Sequence, residues 1–343
     1  MSLKPGRSLA VAIQDPTQVG EARRAVSQSA MRLGTGEETA GKLGLIATEL
    51  GTNLLKHAGG GEIVVQFFDE DSGVFEIMAL DKGPGIFDWR RAFEDGFSTA
   101  GSPGTGLGAV ARLSSEHFAY GISKRGTVIV TRIVTRLRKG PPRVEEEHFE
   151  MGAICAPVRG EEECGDAWVV LRTPGGARAV VADGLGHGPS AAEASQAAIR
   201  IAREFPALTP TALLERMHEA LRSTRGAAVA VADIDLGLRT VRFTGIGNIS
   251  ASIVADGKVR QMVSHNGTAG LQARRIQEFT YPWTPSSLLL MHSDGLGTHW
   301  SLDAYPGILE QHASILSAAL YRDFSRGRDD VTVLTVREKS SGR

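Results

Sequence analysis

Apolar positions along the first 136 residues switch between two periods. SLAVAI (8–13) is a short apolar run that reads as a strand. Residues 17–33 then place Val19, Ala22, Val26 and Ala30 at helical spacing, and residues 37–57 do so through Leu43, Ile46, Leu50 and Leu54. EIVVQFF (62–68) and GVFEIMAL (73–80) read as strands joined by a DEDSG turn, and a glycine-rich stretch (83–108) leads into a short helix at 107–115. HFAYGIS and GTVIVTRIV form a hairpin over Lys124-Arg125-Gly126. Beyond residue 147 the pattern is richer in strands, predicted at 148–157, 167–173, 177–183, 227–234, 239–246, 250–255, 286–292 and 331–336. Two helices fit between 189 and 222 and a third at 306–321. Strands, a helical pair and more strands imply a layered sandwich, so the chain as a whole is expected to be α+β.

The two patterns meet at RLRKGPPRVEEE (136–147), where two prolines separate a basic from an acidic run with almost nothing apolar between. This predicts domains at 1–136 and 148–343, joined by a linker at 137–147, which agrees with the two domains expected of 343 residues. Charge is balanced in both parts: 17 basic and 15 acidic residues over 1–140, 21 and 24 over the remainder. That excludes the basic excess of a nucleic-acid binder. Two cysteines, Cys155 and Cys164, cannot build a disulfide framework and suit a reducing cytosol. No secretory leader opens the sequence and no apolar run reaches the roughly 18 residues that span a bilayer, so a cytoplasmic protein away from membranes is expected. The 41 glycines, well above the usual share, point to tight loops and close backbone approaches.

Three motifs in the N-terminal part carry chemistry together. Glu49 and Asn53 lie four apart, on one face of a predicted helix. An asparagine carbonyl can ligate a hard cation, and a neighbouring carboxylate can take a proton from a nucleophile. Asp81, Gly83 and Gly85 follow an apolar strand, where a carboxylate can accept from an exocyclic amine and the glycines let a flat base approach. Gly104, Thr105, Gly106, Leu107 and Gly108 open a helix whose free amides suit phosphates. This order of motifs over about residues 7–136 resembles the GHKL ATPases of the Bergerat fold, which implies an α/β sandwich with a mixed sheet and helices on one face. TELGTNLLKHAGGGEI, LDKGPGI and FSTAGSPGTGLGAVARL are similar in particular to the anti-sigma and switch serine kinases of the RsbT type. The resemblance implies ATP with Mg²⁺ as cofactor, Asn53 as the Mg²⁺ ligand, Glu49 as catalytic base, Asp81 as the adenine contact and Gly104–Gly108 in a lid. It also implies that 86–103 moves with nucleotide. His57 reads as structural.

In the C-terminal part four aspartates stand at strand ends or beside glycines: Asp166 (ECGDAW), Asp183 (VVADGLGHG), Asp294 (MHSDGLG) and Asp329 (GRDDVTVL). Hard cations favour such oxygen ligands, and two of them can bind phosphate and activate water for in-line attack. Taken singly, each Asp-Gly is an ordinary turn. The flanking residues over about 148–337 resemble the metal-dependent PPM phosphatases, with two central sheets, and the SpoIIE/RsbX branch most closely. The resemblance implies two Mg²⁺ or Mn²⁺, with Asp183 bridging them and the Gly184 carbonyl on one. Asp166, Asp294 and Asp329 would complete the shell, and Asp330 would support it. His187, Asn248 and Cys164 read as structural, His265 and His292 lack an evident partner, and Arg159 is the one counterpart seen for a phosphate-binding arginine.

Together the resemblances imply a kinase and a phosphatase of opposed action on STAS-domain proteins or an anti-sigma pathway protein, an analogy at the level of fold. Related ATPase domains often pair, so a homodimer is compatible. Two alternatives are an ATP sensor gating a phosphatase, and a non-enzymatic protein that sequesters a partner.

Overall fold

The computed structural model describes residues 3–4, 6–68, 73–85, 93, 106–135 and 148–339. The expected linker, Gly104 and Thr105, and the 86–103 segment apart from Phe93 lie outside the described residues. The chain divides into two compact units, one made of Met1–Val144 with Ser301–Arg322, the other of Glu145–Trp300 with Asp323–Arg343. Segment 301–322, which follows the C-terminal pattern in sequence, thus packs within the first unit.

That unit is built on β1 (Ser8–Ile13), α1 (Pro16–Arg32), α2 (Glu37–Asn53), β2 (Gly61–Phe67), β3 (Val74–Leu80), α3 (Gly106–Leu113), β4 (Glu116–Ile122) and β5 (Gly126–Val134). Asp15 caps α1 in a reciprocal capping box with Gln18. The expected helix 37–57 ends its α-helical part at Asn53 and continues as a π turn over Leu54–Ala58. The five strands form one sheet in the order β1-β2-β3-β5-β4, and it is antiparallel throughout where a mixed sheet is expected, because every neighbouring pair runs in opposite directions. Ile63, Val65, Ile77 and Ile129 point from it into the core with Leu43, Ile46 and Leu50 of α2.

The opposite face of this sheet is buried as well: Val64, Met78, Val128 and Val130 are fully inaccessible. Segment 301–322 reaches that face. Tyr120 Oη donates to the Pro306 carbonyl (2.9 Å), and the Phe118 ring stacks on His312 at 4.2 Å. Ser314, in α6 (Ala313–Phe324), joins a buried polar chain. Its hydroxyl donates to Glu76 Oε1 (2.6 Å) and accepts from Arg132 Nη2 (3.0 Å). Arg132 Nε also donates to Glu76 Oε1 (2.7 Å), and Gln66 Nε2 donates to its other oxygen (2.8 Å). Glu76 is fully buried, and this many donors make a buried carboxylate tolerable.

The second unit holds two five-stranded sheets. One has the order β13-β10-β9-β8-β7, with β7 (Asp166–Thr173), β8 (Gly176–Gly184), β9 (Ala227–Asp235), β10 (Thr240–Ile246) and β13 (Phe279–Pro282). The other has the order β12-β11-β14-β15-β6, with β6 (Phe149–Ala156), β11 (Ser250–Ala255), β12 (Lys258–Gln261), β14 (Leu288–His292) and β15 (Val331–Glu338). The helical pair α4 (Pro189–Glu204) and α5 (Pro210–Ala220) packs Ala194, Ala198, Leu213 and Met217 against Val180, Val229 and Val231 of the first of these sheets. Among the described residues no helix is long and apolar enough to cross a membrane.

Candidate active sites

In the first unit Glu49 and Asn53 sit on the last turn of α2, and the start of α3 meets them. A β-carbon at Gly106 would lie 3.0 Å from Glu49 Oε2 and 3.8 Å from Asn53 Oδ1, so the approach depends on glycine. Asn53 Nδ2 is buried without a hydrogen-bond partner among the described residues. A buried, unpaired amide facing the first residue of α3 is a group suited to an external acceptor. Asp81 follows β3, and its Oδ1 accepts from the amides of Gly83 (2.8 Å) and Thr127 (3.1 Å). Burial raises the pKa of this carboxyl, against the lowering by these amides and by Arg322. Gly85 has φ of +85° and leaves no room for a side chain beside the Ile122 carbonyl. Leu107 and Gly108 continue the first turn of α3. His57 is exposed in the π turn.

In the second unit Asp166 opens β7 and pairs across the ladder with Asp183 near the end of β8. Gly184 follows, where a β-carbon would fall on the Ala191 carbonyl. Asp183, Asp294 and Asp329 line one pocket, together with Leu185, Gly186, Asn248, Asn266 and Thr268. Asp166, the ladder partner of Asp183, is not among the lining residues; its Oδ2 accepts from Ser293 Oγ (2.7 Å) while Oδ1 is buried without a partner among the described residues. Asp330 turns away: its oxygens accept from the amides of Val158 (2.7 Å) and Gly165 (2.6 Å), tying the 158–165 loop to β15.

Burial and the surrounding carboxylates push Asp183 up to about 9, and burial chiefly pushes Asp166 up to about 7. As placed, no three histidine, cysteine, aspartate or glutamate side chains among the described residues converge to enclose an ion. The chemistry of the donor set nevertheless fits hard divalent cations: an all-oxygen ring, mutually repelling, with one buried oxygen unsatisfied. The folded protein retains protons on Asp166 and Asp183 that the unfolded chain, with its ordinary carboxylate value of 3.8, has released. The metal-free protein therefore loses stability as pH rises above about 4 toward the raised values. Thermal melts between about pH 5 and pH 8 should show a decline of at least about 3 °C without metal, and a flat profile with saturating Mn²⁺. Equal slopes in the two series would remove the carboxylate cluster as their cause.

Three pocket residues escape sequence reasoning. Asn248 donates from Nδ2 to Asp294 Oδ2 (2.6 Å), which gives a residue expected to shape a turn a direct hold on a candidate ligand. Asn266 and Thr268 carried no motif. His187 is exposed and pairs with Glu161 (2.9 Å), and His292 Nε2 accepts from Trp300 (3.4 Å). Cys155 and Cys164 are buried thiols with sulfurs 3.6 Å apart, and Arg159 is exposed in the turn after β6.

Residues 13–133 match the model of the histidine kinase-like ATPase domain, and residues 173–339 that of stage II sporulation protein E. The serine/threonine-protein kinase RsbT of Bacillus subtilis (strain 168) is 36% identical over 120 residues, 35% of this chain and 90% of that protein. The phosphoserine phosphatase RsbX of the same organism is 24% identical over 153 residues, 44% of this chain and 77% of that protein. A solved structure described as a bacterial stressosome, a modular system adapted to control secondary messenger signalling, is 28% identical. It covers 56% of this chain and all of its own, with a TM-score of 0.52. RsbX in complex with magnesium has a TM-score of 0.50 at 22% identity, over 57% of this chain and 98% of its own.

Proposed function

From a chain that belongs to the RsbT-like, histidine kinase-like ATPase family in its N-terminal part and joins to it a SpoIIE-type PPM phosphatase domain, we propose a partner-switching regulator with two opposed activities. One is ATP-dependent phosphorylation of serine or threonine in a STAS-domain protein, and the other is metal-dependent removal of that phosphate. The reading is carried by the two separate polar constellations in one chain: Glu49 and Asn53 against Gly106, and the aspartates around the second-unit pocket.

In the kinase step Glu49 takes the proton of the substrate hydroxyl. The oxygen forms a bond to the γ-phosphorus as the bond to the β-phosphate oxygen breaks, leaving ADP. Asn53 would hold Mg²⁺ with the nucleotide, Asp81 the adenine amine, and the Gly104–Gly108 segment the phosphates. In the phosphatase Asp183, the Gly184 carbonyl, Asp166, Asp294 and Asp329 would hold two Mg²⁺ or Mn²⁺, which supply Lewis acidity to an attacking water. Asn248 fixes the orientation of Asp294 for that task.

Labelled ATP and Mg²⁺ with a STAS-domain protein test both halves. Label should accumulate with Asp183→Asn protein and disappear when wild type and Mn²⁺ are added. Glu49→Gln should reduce transfer by at least about 100-fold while ATP affinity stays within a few-fold, since a base contributes about 10²–10⁴ to rate. Undiminished transfer in that variant would remove Glu49 from the mechanism.

One contact favours a second reading, in which the ATPase domain senses nucleotide. Arg322 Nη1 donates to the Asp81 carbonyl (3.1 Å), and Arg322 stands seven residues before Asp329 in the chain. That reading predicts phosphatase activity that changes with ATP and no label transfer by any form.

A further inference from the structure

A phosphoserine brings a charge near −2 into a pocket already lined with carboxylates, so its recognition calls for a cation from the protein. Arg159, the counterpart suggested by sequence, is exposed in the turn after β6 and does not line that pocket. Arg225 has one. It stands in the turn before β9, and its Nη1 would lie 3.4 Å from a β-carbon at Gly186, a residue of the pocket wall.

The turn that carries Arg225 is fixed on both sides. The Leu185 amide donates to the Gly226 carbonyl (3.0 Å), and Ala227 and Ala269 exchange backbone hydrogen bonds (3.0 and 2.8 Å). Gly226 has φ of +80° with the Ala269 carbonyl against it, so the turn has little freedom to move. The Arg225 side chain is exposed, and it makes no hydrogen bond or ion pair among the described residues. Around the adjoining Gly226 stand Leu185, 53% exposed, and Leu271, 57% exposed, and neither carries a charge. A guanidinium anchored at its root, against the wall of a pocket and without a carboxylate partner, has its planar donor fork available for an oxyanion.

We propose that Arg225 is the specificity-determining residue that receives the phosphoryl oxygens of the substrate at the pocket mouth. The inference rests on the phosphatase reading. It is tested on the full-length, Mn²⁺-loaded protein with inorganic phosphate as probe, by calorimetry and by competition against p-nitrophenyl phosphate hydrolysis. Arg225→Ala should weaken phosphate binding by about 10–100-fold, the range for a hydrogen bond to a charged group. KM for a phosphoserine peptide should rise by a similar factor, with Mn²⁺ affinity unchanged, and Arg225→Lys should recover part of the loss.

Phosphate affinity untouched in Arg225→Ala, in protein whose wild type hydrolyses the ester, overturns this assignment alone. The same holds if Arg159→Ala carries the loss instead. A wild type that neither binds phosphate nor hydrolyses the ester overturns the assignment and the phosphatase reading together. Arg225-dependent phosphate binding without hydrolysis supports the assignment and counts against the phosphatase reading only.

Discussion

Asp183→Asn is expected to abolish phosphatase turnover and, in the absence of metal, to make the protein more stable. The two effects share one cause. Asp183 is pushed up by burial and by Asp166, Asp294, Asp329 and Asp330, so at neutral pH the metal-free fold strains against this cluster. An amide of the same shape removes one member and keeps the packing. Residues that only orient a metal ligand cost about 10–100-fold when lost, and loss of the bridging ligand itself should exceed that. Relief of one pKa unit is about 1.4 kcal/mol, which for a unit of this size corresponds to about 3–5 °C in melting temperature. The check is hydrolysis of a phosphoserine peptide with Mn²⁺, alongside melts with and without the ion. Mn²⁺ should raise the melting temperature of wild type and leave the variant where it is. Hydrolysis within about tenfold of wild type would exclude Asp183 as the bridging residue.

Residues 1–136 expressed alone should fail to give a stable monomer, although they span the whole match to the ATPase family model. The outer face of their sheet presents Val64, Met78, Leu80, Val128 and Val130, each at most 2% exposed in the complete chain. Each such side chain contributes about 1.5–3 kcal/mol on burial, and together they would form an apolar patch of the kind that drives association. Glu76 and Arg132 would also lose the Ser314 hydroxyl between them. Sedimentation velocity and far-ultraviolet circular dichroism should therefore find oligomers or a melting temperature far below that of the full chain. Appending residues 301–322 through a flexible linker should restore a monomer. A monomeric 1–136 fragment that melts with the full chain would show that segment 301–322 contributes nothing to the unit.

The same segment marks the limit of what could be read in the sequence. Strands with an inward apolar face were legible, from SLAVAI to VTVLTV. The two that were not, β12 and β13, are edge strands of their sheets, and β12 is exposed along its whole length. With no buried face β12 has no period to detect, and β13 alternates over only four residues, too few to set a period apart. The near-continuous apolar runs of β2 and β3 carried a signal of cover on both faces. Nothing local could say that the cover comes from residues about 180–240 positions further on, as in Tyr120–Pro306 and Glu76–Ser314. The aspartates of the second site stood out because glycines and strand ends framed them. Asn266 and Thr268 reach the same pocket, and Arg225 approaches its wall at Gly186, from loops whose residue types follow no pattern, so only the fold brings them to notice, as it does the hold of Asn248 on Asp294.

The borrowed cover also sets a schedule for synthesis. The first 136 residues leave the ribosome with their helices and strands complete but with one face of the sheet still bare. At about 5–20 residues per second, Arg322 follows about 10–40 s later. For that interval the nascent chain carries an uncovered apolar sheet while a second, unrelated set of strands is being made behind it. A holding chaperone, or a pause that keeps the second unit from folding first, would act on this protein during translation, well before either site meets its substrate.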